Sequence, residues 1–142
     1  MPNWIIYGII AMICFGLNTV IYKIAQQKGN LSPYYGTFIF GIGVVLVFAL
    51  SLLLKPSFEF EWKSSSLALI AGVIWGIGFL AIAIAISQKG DVSRLSPIYN
   101  SNTIITVLLG IILLREIPDV SQIFKIISGS ILIIVGAVLV SV

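Results

Sequence analysis

The 142-residue sequence has no histidine, a single cysteine (Cys14) and very little charge, with 9% Asp, Glu, Lys and Arg together. The missing histidines and lone thiol exclude His-based acid–base catalysis, His/Cys zinc sites and an internal disulfide. The shortage of charge excludes an ordinary water-soluble domain, which carries roughly 25% charged residues. What is abundant is apolar surface, at 59% of residues. Such a chain belongs in the lipid bilayer, where backbone groups must be satisfied within the spanning segment. The fold class expected is therefore an all-α membrane protein.

The charges fall in four short windows: Lys23 and Lys28; Lys55, Glu59, Glu61 and Lys63; Lys89, Asp91 and Arg94; and Arg115, Glu116, Asp119 and Lys125. Around them lie charge-free runs 1–22, 29–54, 64–88, 95–114 and 126–142. A crossing of the hydrocarbon core takes about 20 apolar residues. Five transmembrane helices are expected, over about 4–26, 33–54, 65–88, 96–114 and 119–141, in one domain covering 1–142. Their starts are signalled by Ser32-Pro33, the serines at 64–66, Ser96-Pro97 and Asp119 after Pro118. The first run has no basic residues before it and is longer than a signal-peptide core, so it is expected to remain as a helix.

Five spans put the termini on opposite faces. Lys55, Lys63, Arg115 and Lys125 then share the N-terminal side, while Lys23, Lys28, Lys89 and Arg94 share the other, four against four. Lys/Arg asymmetry sets membrane orientation, so this tie favours neither way round. It points to dual topology, in which the chain inserts both ways and pairs with an inverted copy of itself. One orientation with an accidental tie is the alternative. The scattered positive charges form no cluster suited to nucleic acid, and no nucleic-acid partner is expected.

Within the spans, polar groups and aromatics carry the functional signal. Asn18 lies about 4.5 Å along the axis from the centre of the first helix, on a face with Tyr7, Ala11, Cys14 or Phe15, and Tyr22. In the fourth span Ser96, Tyr99, Thr103, Thr106 and Gly110 follow helical spacing, flanked by Asn100 and Asn102. So many amides facing lipid would be costly, and a hydrated cavity competes with simple interhelical hydrogen bonding. In the third span Gly72, Trp75, Gly76 and Phe79 share a face. The glycine pair reads first as helix packing, and Trp75 and Phe79 either fill the bundle or line a path for an organic solute. Glu59 and Glu61, in the aromatic-rich loop 55–63, read as part of an interfacial belt rather than a catalytic pair.

Several of these stretches resemble the EamA-type branch of the drug/metabolite transporter superfamily. Phe15-Gly16-Leu17-Asn18 followed by Lys23 is similar to its first helix. Trp75 through Ala85, then Lys89-Gly90-Asp91-Val92-Ser93 and Leu95-Ser96-Pro97, resemble its third helix, tight turn and fourth-helix start. Glu116, with Gln122, Gly129 and Gly136 beyond, is similar to its last junction and helix, although Arg115 stands where the family often has Gly. The resemblance implies one half of a ten-helix inverted-repeat transporter in a prokaryotic cytoplasmic membrane. It also implies a cavity lined by the first, third and fourth helices, which makes Asn18, Trp75, Phe79, Tyr99, Asn100 and Thr103 the candidate substrate-binding residues.

The expected function is alternating-access transport of a small neutral or zwitterionic metabolite by an antiparallel homodimer, with no cofactor. Small multidrug exporters of the superfamily use a carboxylate in the first helix, whereas these spans contain no acidic residue. Export of hydrophobic or cationic compounds, or a non-transporting half that requires another subunit, are the alternatives. An enzyme would need a nucleophile–base pair, metal ligands or paired buried carboxylates, and the pattern supplies none.

Overall fold

A computed structural model describes residues 3–54, 60–115 and 119–141. These form six helices: α1 (Asn3–Gly29), α2 (Pro33–Leu54), α3 (Trp62–Ser87), α4 (Val92–Asn100), α5 (Asn102–Ile112) and α6 (Val120–Ser141). No strand occurs among the described residues. Five stretches are long and apolar enough to cross a membrane, the fourth being Val92–Ile112, formed by α4 and α5 together. It is the least apolar, with a mean hydropathy of 1.4 against 2.0 to 2.7 for the others. Side chains such as Leu54, Leu69, Leu132 and Leu139 are at least 70% exposed, which in water would be untenable and in lipid is the required outer surface.

Several helix boundaries differ from the sequence expectation. Pro33 does open α2, and the Gly36 amide donates to the Ser32 carbonyl at 2.8 Å, as suits a proline in the first helical turn. The third helix starts earlier than the serines at 64–66. Glu61 is its N-cap, the Ser65 amide donates to the Glu61 carbonyl at 3.0 Å, and the Ser64 hydroxyl bonds the Glu61 carboxylate. At the last helix the amides of Gln122 and Ile123 donate to the Asp119 carbonyl, which agrees with a start there. Lys55, Glu59 and Glu116 lie outside the described residues.

The fourth span departs furthest. Ser96-Pro97 does not open it: the helix begins at Val92 after the N-cap Asp91, and Pro97 lies inside α4. Proline has no amide to donate within the helix and its ring crowds the preceding turn. One turn later the helix breaks. Ser101 has φ −65° and ψ −7°, its amide is shared between the carbonyls of Pro97 and Ile98, each at 3.2 Å, and its hydroxyl also bonds the Pro97 carbonyl at 3.0 Å. Such back-bonding bends helices.

Close packing divides the chain into two units, Met1–Lys89 and Gly90–Val142. In the first, α2 runs along α3, and α1 joins α2 through the short hairpin at residues 30–32. Asn30, with φ 48°, makes the left-handed turn that ends α1. Gly36 is needed in this unit, because a Cβ there would lie 2.7 Å from the Tyr22 hydroxyl and 2.9 Å from Leu31 Cδ2. In the second unit, α4 and α5 pack on α6, with Ser130 and Ala137 of α6 buried.

Candidate functional site

The first unit builds its core from one end of α1. Tyr22, Gln26, Phe79, Ala83 and Ile86 are all buried. The Tyr22 hydroxyl lies 3.3 Å from both the Pro33 carbonyl and the Thr37 hydroxyl, fastening α1 to the start of α2. Gln26 Nε2 donates to the Ala83 carbonyl at 3.1 Å, fastening α1 to α3. Thr19 turns its hydroxyl back onto the Phe15 carbonyl at 3.1 Å.

Above this fastened end, the three helices border an open-sided cavity of about 820 Å³. Cys14, Phe15 and Asn18 of α1 line it, with Phe40, Gly43, Val44, Val47 and Phe48 of α2 and Ala71, Gly72 and Trp75 of α3. Its volume falls in the range typical of small-molecule sites, roughly 300–1,000 Å³. Four aromatic rings pack together at its edge. Phe40 and Phe79 stack at 3.9 Å between centroids and 10° between planes, Trp75 stacks on Phe79 at 5.7 Å and 16°, and Tyr22 meets Phe79 edge-on at 5.1 Å. Phe40 and Trp75 face the cavity, and Phe79 stands behind them, 7% exposed.

Asn18 is the amide in this wall, and its Oδ1 is buried without a hydrogen-bond partner. An unmet buried acceptor costs about 1–3 kcal/mol. Gln26 Oε1 shares this condition deeper in the unit. Such groups persist in folded proteins where they have a use or where a guest satisfies them.

The glycines of the third span make no helix contact within the described chain. A Cβ placed at Gly72 or Gly76 would meet nothing within 4 Å, so the pair packs against no other helix among the described residues. Gly72 instead widens the cavity.

Of the six residues singled out from the sequence, Asn18 and Trp75 line one cavity, with Phe79 immediately behind. Tyr99, Asn100 and Thr103 belong to the second unit. There they cluster at the break in the fourth span: Asn100 Nδ2 donates to the Ser96 hydroxyl at 3.1 Å, Ser96 donates to the Tyr99 hydroxyl at 3.3 Å, and Thr103 donates to the Asn100 carbonyl at 2.9 Å. The α2 lining was not anticipated. Phe40, Gly43, Val44, Val47 and Phe48 carry no polar signal, although positions 40, 44 and 47 share a face at helical spacing. Gln26 was also missed, and an amide just before a helix-ending Lys28-Gly29 was the available clue. Among the described residues, no group of three His, Cys, Asp or Glu side chains gathers to hold a metal.

The sequence profile of the EamA-like transporter family matches residues 2–142. The chain belongs to this family. An uncharacterized protein of Methanocaldococcus jannaschii is 30% identical over 142 residues, which covers 100% of this chain and 98% of that protein. No solved structure matches the chain. As an EamA-like protein it is an integral, multi-pass membrane transporter of small molecules, and its five spans fit a half-size member of the family.

Proposed function

We propose that this EamA-like protein carries a small neutral or zwitterionic organic metabolite by alternating access, as a dual-topology antiparallel homodimer in which both units act as one five-span domain. The observation that carries this reading is the α1–α3 cavity, where the Asn18 amide stands beside aromatic rings in a first span free of acidic residues. An acidic side chain there would favour proton-coupled export of cations, and the amide favours an uncharged or internally balanced solute. The broken fourth span supports the same reading, since interrupted helices in transporters lie beside substrate and ion paths. The equal division of Lys and Arg between the two faces supports insertion in both orientations. An inverted pair would place equivalent Asn18 cavities toward opposite leaflets, as two-sided access requires.

The test is solute exchange in vesicles reconstituted with this chain alone, across a panel of metabolites. Asn18→Ala and Asn100→Ala should each lower saturable exchange while cross-linked dimer yield stays at the wild-type level. Unchanged exchange in both variants would remove these residues from the substrate path. A chain that exchanges nothing until a different subunit is added would establish the non-transporting half instead.

A further inference from the structure

The depth of the α1–α3 cavity determines which molecules reach it. Exposed Trp4 stands at the start of α1, and exposed Phe60 and Trp62, with ring centroids 6.3 Å apart, stand at the entry to α3. Such aromatics mark the boundary between membrane and water. Cys14 follows Trp4 by ten residues and Ala71 follows Trp62 by nine, which at 1.5 Å per residue sets the cavity wall about 13–15 Å below that boundary. The hydrocarbon core is about 30 Å thick, so this is its middle. Toward the opposite face the cavity is closed by the packed end of the unit, where Tyr22, Gln26, Phe79, Ala83 and Ile86 are buried. Toward Trp4 and Trp62 the helices part: Met12 and Leu17 of α1, Leu50 and Leu53 of α2, and Leu67 and Leu69 of α3 are all at least half exposed.

Water gains little in this space. Cys14, Asn18 and Trp75 supply the only polar side-chain atoms among the lining residues, and the Asn18 oxygen is buried, whereas a bound water takes about two to four polar partners. An apolar wall left bare forfeits van der Waals contact along its length. At the middle of a bilayer the molecules at hand are hydrocarbon chains. We infer that the cavity seats a hydrocarbon chain of a bilayer lipid, which enters between the parted helices from the leaflet of Trp4 and Trp62, leaves its headgroup at the aromatic boundary and ends against the Phe40 and Trp75 rings. Three helices wall the seat, while elsewhere on the outer surface a chain is touched on one side, so the cavity holds its chain in preference to the surrounding surface. The inference goes beyond the transport reading and does not depend on it; a carried solute that uses the cavity has to displace the chain.

The experiment places the full-length protein in nanodiscs of dioleoyl phosphatidylcholine containing a small share of phosphatidylcholine with a diazirine at the end of one acyl chain, and maps the photolysis products by mass spectrometry. Labelling of Phe40, Val44 and Val47 in the cavity should exceed that of Val45 and Leu46, at the same depth on exposed faces of α2, by about fivefold, as expected when a chain is walled on several sides instead of one. A lipid with the diazirine beside the ester should label near Trp4 and Trp62 instead. Gly43→Leu combined with Gly72→Leu, both at positions where a Cβ meets nothing, fills the seat and should remove the excess while Val45 and Leu46 label as before. Cys14, on the same wall, should resist a membrane-impermeant methanethiosulfonate reagent and react once the protein is denatured. Equal labelling of the cavity and of Val45 and Leu46, an excess that survives the double substitution, or ready reaction of Cys14 in the folded protein would each overturn the inference, the last by showing a water-filled vestibule. A Cys14–Cys14 disulfide formed under mild oxidation beside an unlabelled cavity would give the seat to a second copy of the chain. The transport reading fails separately: vesicles that exchange no solute leave the lipid seat standing, and solute exchange with an unlabelled cavity refutes the lipid seat alone.

Discussion

Replacing Gly36 with alanine should destabilise the first unit, and the structure says through which atom. The new methyl carbon would stand 2.7 Å from the Tyr22 hydroxyl, 2.9 Å from Leu31 Cδ2 and 3.3 Å from Tyr22 Cζ. Leu31 is partly exposed and can turn aside. Tyr22 cannot do so cheaply: it is 6% exposed, its ring is held edge-on against Phe79 and Phe40, and its hydroxyl reaches Pro33 and Thr37. Overpacking of this kind costs about 1–3 kcal/mol. The usual gain of an alanine over a glycine in a helix, up to about 1 kcal/mol, largely cancels when the unfolded reference is a micelle in which helices persist. Tyr22→Phe alone should cost less, about 0.5–1 kcal/mol, because both contacts of its hydroxyl are long and Thr37 still donates to the Pro33 carbonyl at 2.7 Å. Removing the hydroxyl also removes the worst clash. The double variant should therefore be more stable than the sum of the single losses by about 1 kcal/mol or more, a coupling expected of atoms in direct contact. Equilibrium unfolding in mixed micelles, followed by near-ultraviolet circular dichroism, measures all three. Strict additivity, or an unchanged Gly36→Ala protein, would refute the claim that Gly36 is required by the approach of Tyr22.

Three further outcomes follow from the same geometry. Gly72→Leu, at a position where a Cβ meets nothing, should keep stability within about 0.5 kcal/mol in the same assay, yet lower saturable exchange in reconstituted vesicles by filling the cavity. Gln26→Ala should cost about 1 kcal/mol, because it deletes the Gln26–Ala83 bond and leaves a void in the buried end of the unit while also removing the unmet Oε1 acceptor; a stabilised variant would mean that this bond does not hold α1 to α3. Pro97→Ala restores a backbone donor inside α4, and should slow amide hydrogen exchange in the turn that follows, around Ser101, relative to wild type.

The membrane class and the five spans were legible because charge and apolar length answer directly to the thickness of the bilayer. The break at Ser101 was not, since a Ser-Pro pair reads equally well as a helix start, and only the capping at Asp91 decides that the helix began a turn earlier. Asn18 and Trp75 could be picked out because a polar or bulky aromatic residue in a span stands out against lipid-compatible neighbours. The α2 side of the cavity could not, because Phe40, Val44 and Val47 are also what a lipid-facing helix would present. The same ambiguity hid Gly36: its need depends on where Tyr22 lies, a contact across fourteen residues that periodicity does not encode.

The account turns most on the inverted pair, since a cavity in one half serves two-sided access only if a second copy faces the opposite leaflet. Matched reporters fused after Val142, one active only in the cytoplasm and the other only outside it, measure this directly. The four-against-four division of Lys and Arg predicts substantial signal from both reporters, and added lysines on the Lys55–Lys63 side should drive the population toward one orientation. Signal confined to a single compartment in the unaltered chain would contradict the antiparallel homodimer.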